Sequence, residues 1–405
     1  MMMYKISIFA LLLAALLPTL YNGYRKLSIL LQNGPGRLPE MNSFQSYEIK
    51  FADKVRSCED GLLIESKGLA ILACDPGREK WNTVMGIFLP GPVPGAELYA
   101  YDYGDANAPD SESLRRFEII GYAPGTNLHT LGIAYHEETS TLFVANARTD
   151  GATVEMFTLD LAAFTAVHFR TIRHPLLRGP NAIAILNDHE LLVTNDHHFL
   201  IKESRFLAKM ETYLDLSLGS VVHVDISSLL KDPTGTVEAN VVARVSFANG
   251  IEVLNNTTIA VASTSKAKVF FYDLTRSDTA STTAPTLTHK STVKFPFMVD
   301  NLQVSKDGSL YVAGHPYFPA LEEFSKSRDM CNDYSKLATA DPSVQEYCKT
   351  ANAPSWVSRW TEARGVEHLY VGGEYPSSST AAFDSERNVG IVTGLYAKGI
   401  LVWRQ

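Results

Sequence analysis

The sequence predicts an all-β fold, a six-bladed β-propeller, from three observations. First, four segments of the 405-residue chain repeat one pattern: a small or amide residue, an apolar strand, a polar turn and a second apolar strand. Second, short alternating strands, frequent turn signals and a repeat near 50 residues are typical of propeller blades. Third, the spacing leaves no room for the helix that a parallel α/β sheet needs after each strand.

Each repeat is interpreted as one blade. The four clear copies start 50, 68 and 51 positions apart, and a weaker copy near each end brings the number to six. The helical patterns that remain lie near 201–213 and within 319–360. In chain order, the six copies begin at Glu59, Leu131, Asn181, Asn249, Asp300 and Ser379.

The blades are expected to form a single domain over residues 45–405. Three segments break the repeat, namely 88–95, 277–288 and an insert that contains Cys331 and Cys348, but the blade pattern resumes after each, so they are interpreted as loops. Hydrophobic residues make up 45% of the chain and charged residues 20%, which is ordinary for a globular protein. The net charge of −8, with scattered lysines and arginines, argues against nucleic-acid binding.

The N-terminus has the layout of an export signal. A basic start is followed by an apolar run from Ile6 to Leu20 and then by Arg25 and Lys26. Residues 1–26 are therefore predicted to be a signal peptide or, since no clear cleavage site follows, an uncleaved signal anchor that forms a short hydrophobic helix. Both outcomes place the protein in the secretory pathway, secreted or associated with a membrane through this segment.

The four cysteines fit that compartment. Cys58 and Cys74 flank an apolar hairpin around a Lys-Gly turn, and pairing Leu63 with Leu69 in it brings the two cysteines opposite each other, which predicts a cross-strand disulfide. Cys331 and Cys348 could close a second loop of similar length, although four cysteines allow three connectivities. Overlapping sequons at Asn255 and Asn256 are compatible with glycosylation and support export only weakly.

One repeat position predicts a metal site. The innermost strand of each blade begins near one mouth of the central channel, so residues at the start of each copy face the axis. A ring of amide and carboxylate oxygens there suits calcium, which takes six to eight oxygen ligands, better than zinc. The residues at this position include Glu59, Asn181, Asn249, Asp300 and Asn301.

From about Cys58 onward, the chain resembles the paraoxonase/arylesterase family of six-bladed calcium propellers. The match covers most of the chain, in order and with similar spacing. The residues that carry the resemblance are Cys58-Glu59-Asp60, Thr171-Ile-Arg-His174, Thr194-Asn-Asp-His197, Phe247-Ala-Asn249-Gly-Ile251, Val299-Asp300-Asn301 and Gly314-His315-Pro316.

The resemblance implies that the five residues at the shared position, Glu59 to Asn301, are the family's catalytic-calcium ligands, all intact. It also implies a second, structural calcium held by Asp60 and the backbone carbonyl of Ile133, where Ala182 replaces the family's remaining Asp. The family's catalytic histidine pair corresponds to Leu131 and Ala147, so neither histidine is present.

With Leu131 and Ala147 in place of the histidine pair, the metal ion is retained as the electrophile, but the family's usual general base is absent. Asp300, Glu59 and His315 are the candidate catalytic residues, and His129, two positions before Leu131, is a poorly placed substitute. The cluster Asp196-His197-His198 ends a strand, where a hydrogen-bonded role is as good an interpretation as a functional one.

Three functions remain open. The first is a calcium-dependent hydrolase of aryl esters or lactones, in which calcium polarises the carbonyl for attack by water. The second is a non-catalytic propeller that calcium stabilises and that binds a partner. The third is catalysis on another substrate, as a sugar-lactone hydrolase or a synthase.

Overall fold

The structure is a computed structural model that describes residue 17 and residues 21–105, 108–122, 127–276 and 284–405. A helix, α1, covers residues 21–32. The strands follow in chain order: β1 (Met41–Asn42), β2 (Ser46–Lys50), β3 (Cys58–Ile64), β4 (Leu69–Cys74), β5 (Trp81–Asn82), β6 (Ile87–Phe88), β7 (Glu97–Asp102), β8 (Leu114–Arg116), β9 (Glu118–Ile120), β10 (Thr130–His136), β11 (Thr141–Asn146), β12 (Thr153–Asp160), β13 (Thr165–Ile172), β14 (Pro180–Ile185), β15 (Glu190–Asn195), β16 (Ser220–Asp225), β17 (Glu238–Arg244), β18 (Ala248–Asn255), β19 (Thr258–Ser263), β20 (Lys268–Thr275), β21 (Thr286–Lys294), β22 (Met298–Val304), β23 (Leu310–His315), β24 (Ser355–Thr361), β25 (Gly365–Gly372), β26 (Ser378–Asp384), β27 (Val389–Gly394) and β28 (Ile400–Arg404).

Short helices lie between these strands. A 3-10 turn at Pro76–Glu79 follows β4. The α-helices are α2 (Asp110–Ser113), α3 (Arg205–Tyr213), α4 (Ser227–Lys231), α5 (Phe318–Cys331), α6 (Tyr334–Ala338) and α7 (Pro342–Thr350). The helical patterns expected near 201–213 and within 319–360 are thus present as α3 and as α5 to α7.

Six sheets form the blades, as the sequence predicts, and their strands are antiparallel except for β9, which pairs parallel with β13. Their strand orders, from the innermost strand outward, are β3-β4-β7-β8, β10-β11-β12-β13-β9, β14-β15-β16-β17, β18-β19-β20-β21, β22-β23-β24-β25-β1 and β26-β27-β28-β2. Each innermost strand contacts the innermost strand of the next blade, and β26 of blade 6 contacts β3 of blade 1, so the ring is closed.

The N-terminal strands complete the last two blades. β2 pairs antiparallel with β28 at the C-terminus, and β1 pairs with β25. The chain therefore closes the ring by hydrogen-bonding its first strands to its last ones, which hides two sheet edges.

The core is divided among the six spaces between adjacent blades. Each space holds its own apolar cluster, such as Leu142 and Phe157 against Leu98 between blades 1 and 2, or Tyr311 and Trp403 between blades 5 and 6. The inner strands of each blade are apolar on both faces, because every sheet packs against a neighbouring sheet on each side.

The disulfides are Cys58–Cys74 and Cys331–Cys348, so both expected pairings are confirmed. The hairpin register differs from the expected one: Leu63 pairs with Ala70 and not with Leu69. A bulge between Cys58 and Asp60 then takes up one residue and restores the pairing of Cys58 with Cys74.

The helix α1 is fastened to the propeller by its basic residues. The guanidinium of Arg25 donates hydrogen bonds to the carbonyl oxygens of Lys266 and Phe295, at 2.6 and 2.7 Å. Lys26 forms an ion pair of 2.9 Å with Asp215, just after α3. Most of the predicted signal segment, residues 1–16 and 18–20, lies outside the described residues; within the described ones no helix is long and apolar enough to cross a membrane.

Candidate metal centre and substrate pocket

A bulge recurs near the start of every innermost strand. In blades 2 to 5, two residues of this strand oppose one residue of the next strand, and in blades 1 and 6 one extra residue is inserted. A bulge bends the strand and changes the direction of its side chains. The six bulges contain Glu59, Leu131-Gly132, Asn181-Ala182, Asn249-Gly250, Asp300-Asn301 and Ser379, which are the positions that the repeat singled out.

Hydrogen bonds join four of the five predicted ligands. The amide of Asn301 donates to Oε1 of Glu59 at 3.2 Å, and the amide of Asn249 donates to Oδ1 of Asp300 at 2.5 Å. Because Asp300 and Asn301 are consecutive, the four side chains form one buried network that links blades 1, 4 and 5. Asn181 lies at the same position of β14, the neighbour of β18 in blade 4.

These side chains have acceptor oxygens to spare. Among the described residues, Oε2 of Glu59 and the Oδ1 atoms of Asn181, Asn249 and Asn301 are buried without a hydrogen-bond partner. Unsatisfied buried oxygens are costly and call for an explanation, such as an ion. The amide nitrogens of Asn249 and Asn301 are both used as donors, to Thr264 and Thr380 among others, which fixes the direction of the oxygens.

A donor set of three amides and two carboxylates fits calcium, which prefers hard oxygen ligands. Within the described part of the chain, no group of three or more histidine, cysteine, aspartate or glutamate side chains is arranged to hold a metal ion. The centre has two carboxylates, so it differs from the histidine- and cysteine-rich sites that zinc prefers.

The charge of the centre is balanced in part by a buried cation. Burial raises the pKa of Glu59 well above its usual value, the positive charge of Arg78 opposes this, and the charges of Asp60 and Asp300 add to it. Arg78 belongs to the 3-10 turn that follows Cys74 and donates to the backbone carbonyl of Thr130. A divalent cation held by Glu59 would favour the ionised carboxylate and so oppose both burial and the neighbouring negative charges.

His315, at the end of β23, directly contacts the centre. Its Nε2 lies 2.9 Å from Oδ2 of Asp300, and its Nδ1 is buried without a partner among the described residues. His129 does not reach the place of Leu131, because β10 begins only at Thr130 and the ring turns instead toward Asp75, 3.3 Å away.

A pocket of about 440 Å³ opens beside the starts of β10 and β14. Leu131, Ala147 and Pro180 contribute to its walls, with Phe247 from the turn before β18. This volume suits a small organic molecule. The helices that surround its mouth contribute Thr212 and Tyr213 from α3, and Phe318 and Glu322 from α5.

Leu131 and Ala147 are part of the apolar core as well as of the pocket wall. They pack with Ile172 and Val193 in the cluster between blades 2 and 3. The pair therefore presents aliphatic surface where the resemblance would place two imidazoles, and it supplies no group that accepts a proton.

Of the cluster at the end of β15, Asp196 and His197 reach the pocket. Nε2 of His197 lies 2.7 Å from the hydroxyl oxygen of Thr212, and its Nδ1 lies 3.3 Å from Asp196. Burial lowers the pKa of His197, but Asp196 outweighs it and leaves the pKa raised. The backbone N–H of His198 donates to Glu211, so this residue is tied to α3 and serves to fasten the helix.

The carboxylate of Asp60 accepts three hydrogen bonds. Its Oδ2 accepts from the N–H of Ile133 at 2.8 Å, and its Oδ1 accepts from Gly61 and from the hydroxyl of Thr380. The side chain of Ala182 offers no oxygen. Of the residues expected at the second calcium site, Asp60 is thus engaged in three hydrogen bonds and Ala182 contributes no side-chain ligand.

Several functional features were not foreseen. Arg78 was not predictable, because nothing in the sequence shows that the turn after Cys74 brings its guanidinium close enough to affect the pKa of Glu59. Trp81, whose indole N–H donates to the carbonyl of Ala147 at 2.7 Å, was also missed. The bulges could have been suspected from the consecutive pair Asp300-Asn301, since both side chains of a regular strand cannot face one axis.

The chain is similar to proteins of known function. The family model described as Arylesterase matches residues 91–332. Serum paraoxonase/arylesterase 1 of Mus musculus is 27% identical over 324 residues, which cover 76% of this chain and 80% of that protein. The Homo sapiens protein of the same name is 27% identical over 296 residues, covering 69% and 73%. Serum paraoxonase/lactonase 3 of Mus musculus is 28% identical over 225 residues, covering 54% and 57%.

Proposed function

Because the chain belongs to the arylesterase family, we propose that it is a calcium-dependent hydrolase of aryl esters or lactones. The observation that carries this proposal is the set of four buried, unpartnered oxygens on Glu59, Asn181, Asn249 and Asn301. The pocket of substrate size is lined by Leu131, at the same repeat position in blade 2, and by Pro180, next to Asn181. The names of the relatives, arylesterase and lactonase, support this substrate class.

The proposed roles follow from the contacts. Glu59, Asn181, Asn249, Asp300 and Asn301 would hold the ion, which when bound supplies a Lewis acid for the carbonyl oxygen. The hydrogen bonds from Asn249 and Asn301 to the two carboxylates hold the ligand oxygens in place before substrate arrives, so little reorganisation is needed.

The attacking water must lose a proton, and the described residues of the centre offer Asp300, Glu59 and His315 as acceptors. His315 is the best placed, because Asp300 fixes its ring through Nε2 and leaves Nδ1 without a partner. Leu131 and Ala147 contribute apolar contacts to the acyl or aryl group and keep water from that side of the pocket.

The test is hydrolysis of phenyl acetate and of a γ-lactone by the purified protein, with calcium and after chelation. We expect turnover that chelation abolishes and calcium restores, and that Asn249→Ala reduces. Activity that persists after exhaustive chelation and in Asn249→Ala would contradict the proposal. A panel that adds sugar lactones and organophosphates tests the third function.

A non-catalytic propeller is the second candidate, and one observation favours it: Leu131 and Ala147 are core residues with no chemistry to offer. In that case calcium would stabilise the blades and the protein would bind a partner. Calcium-dependent turnover that Asp300→Ala removes without unfolding the protein would refute this candidate.

We also propose that the protein enters the secretory pathway and associates with membranes through the region around α1. Two disulfides support an oxidising compartment. Tyr24 of α1 and Phe206 of α3 are each 71% exposed, and Lys26 links the two helices through Asp215. Flotation with liposomes, lost in Phe206→Glu, would support surface binding, and equal flotation of the variant would count against it.

A further inference from the structure

The carboxylate of Asp60 lies where three innermost strands meet. It is 4% exposed, and its three hydrogen-bond donors come from Gly61 of β3 itself, from Ile133 of β10 and from Thr380 of β26. Each of the three bonds is 2.8 Å long. One side chain thus connects the first, the second and the last blade of the ring.

The hydroxyl of Thr380 has only one proton to donate. Two acceptors lie near it, Oδ1 of Asp60 at 2.8 Å and the carbonyl oxygen of Glu59 at 3.1 Å, and the shorter contact is the one to the carboxylate. The carbonyl of Glu59 also accepts a hydrogen bond from the hydroxyl of Ser379. The seam between blades 6 and 1 is therefore held by side-chain hydrogen bonds around Glu59 and Asp60.

These bonds leave little room for a cation. An ionised carboxylate has about four acceptor positions, and three of those on Asp60 are used. One of the three positions, on Oδ2, is taken by the N–H of Ile133. Calcium needs at least six oxygens, and the methyl group of Ala182 supplies none.

The cavity on this side of the channel contains one carboxyl group besides that of Asp60. It measures about 220 Å³ and is lined by aliphatic side chains such as Ile133 and Ile251 and by the polar side chains of Glu252, Asn301 and Gln303. Glu252, which is partly buried and lines the same cavity, has its pKa raised to about 8, mainly by burial and further by the charge of Asp60. At neutral pH it is largely protonated and offers no second anionic ligand.

We propose that no cation binds at Asp60, and that its hydrogen-bonded carboxylate closes the ring in place of a second ion. The chain then carries a single calcium, that of the proposed metal centre. The part of this inference that concerns Asp60 does not depend on the proposed activity, whereas the count of one ion rests on it.

The test counts calcium by native mass spectrometry and follows thermal unfolding with and without calcium, for the wild type, Asp60→Asn and Asn249→Ala. We expect one ion in the wild type and in Asp60→Asn, and none in Asn249→Ala at low calcium. Asp60→Asn replaces an acceptor by an amide group against the N–H donors, and it should lower the melting temperature by about 2–3 °C whether or not calcium is present.

Two ions in the wild type, one of them absent from Asp60→Asn, would overturn the proposal, and so would a loss of stability in Asp60→Asn that is confined to the calcium-loaded protein. If Asp60→Asn does not fold, the count on the wild type still decides, since two ions contradict the inference without any variant. No bound ion at all would remove the central calcium site and the proposed function but would agree with the interpretation of Asp60.

Discussion

Replacing Asn249 by alanine removes one amide from the metal centre while leaving the backbone of β18 intact. The change deletes an unpartnered oxygen and two hydrogen bonds, of 2.5 Å to Asp300 and 3.0 Å to Thr264. If the centre binds calcium, the variant should lose affinity for the ion in addition to stability.

The size of the expected loss of calcium affinity follows from the hydrogen bond between Asn249 and Asp300. A hydrogen bond to a charged group contributes about 1.5–3 kcal/mol, and here it orients the carboxylate that would bind the ion. A loss of about 2 kcal/mol in that orientation raises Kd by about 30-fold, because each 1.4 kcal/mol is a factor of ten. The missing ligand oxygen adds to this, so about 30-fold is the smallest rise expected.

The assay is titration calorimetry with calcium on the two proteins, beside a control that loses as many polar contacts elsewhere. Asn187→Ala serves, because its amide group donates to Glu190 and accepts from the N–H groups of His189 and Glu190, in the turn between β14 and β15. We expect the control to melt at a lower temperature with an unchanged Kd for calcium. Equal affinity of Asn249→Ala and the wild type would refute the metal centre.

Three other outcomes are expected. Leu131→His combined with Ala147→His should raise kcat for phenyl acetate at least about tenfold, since a positioned base contributes about 10²–10⁴; no change in kcat would show that the pair is not what limits turnover. Replacing both Cys331 and Cys348 by serine should lower the free energy of unfolding, measured by chemical denaturation, by about 3 kcal/mol, because the disulfide no longer restricts the 17-residue loop in the unfolded chain. A full loss of folding would mean that the insert is part of the core. The free energy of unfolding should fall as the pH drops from about 4.5 to about 2. Hydrogen bonds from His168, Thr153 and Thr171 outweigh burial and lower the pKa of Glu155 to about 2, so the ionised carboxylate stabilises the fold above its unfolded pKa, and this contribution is lost on protonation. Glu155→Gln should flatten this part of an acid-denaturation curve, and an unchanged slope would exclude Glu155 as the cause.

The repeat was enough to predict the fold and the ring of candidate ligands. Propeller blades share one internal geometry, so a residue at the same position of each copy has the same place relative to the axis, and Asn181, Asn249 and Asp300 could be aligned without a structure. The disulfide Cys58–Cys74 was predictable for a similar reason, since pairing within one hairpin is local.

Features that depend on contacts between distant segments were not predictable. The pocket mouth is built by α3 and α5, which are separated in sequence by more than a hundred residues and meet only in the folded protein. The partners of Asp60 come from Ile133 and Thr380 for the same reason. His129 was uncertain at the sequence level because its direction depends on whether β10 begins one residue earlier or later.

The geometry separates metal binding from proton transfer. The proposed ligands lie at bulges in blades 1, 3, 4 and 5, and the same bulge in blade 2 presents Leu131, which packs with Ile172 in the apolar core. A histidine in place of Leu131 therefore adds a base without altering any proposed ligand, whereas a change at Asn249 removes a proposed ligand and leaves Leu131 unchanged. Calcium binding alone cannot distinguish the hydrolase from the non-catalytic propeller; the kcat of the wild type compared with that of the variant with both histidines does.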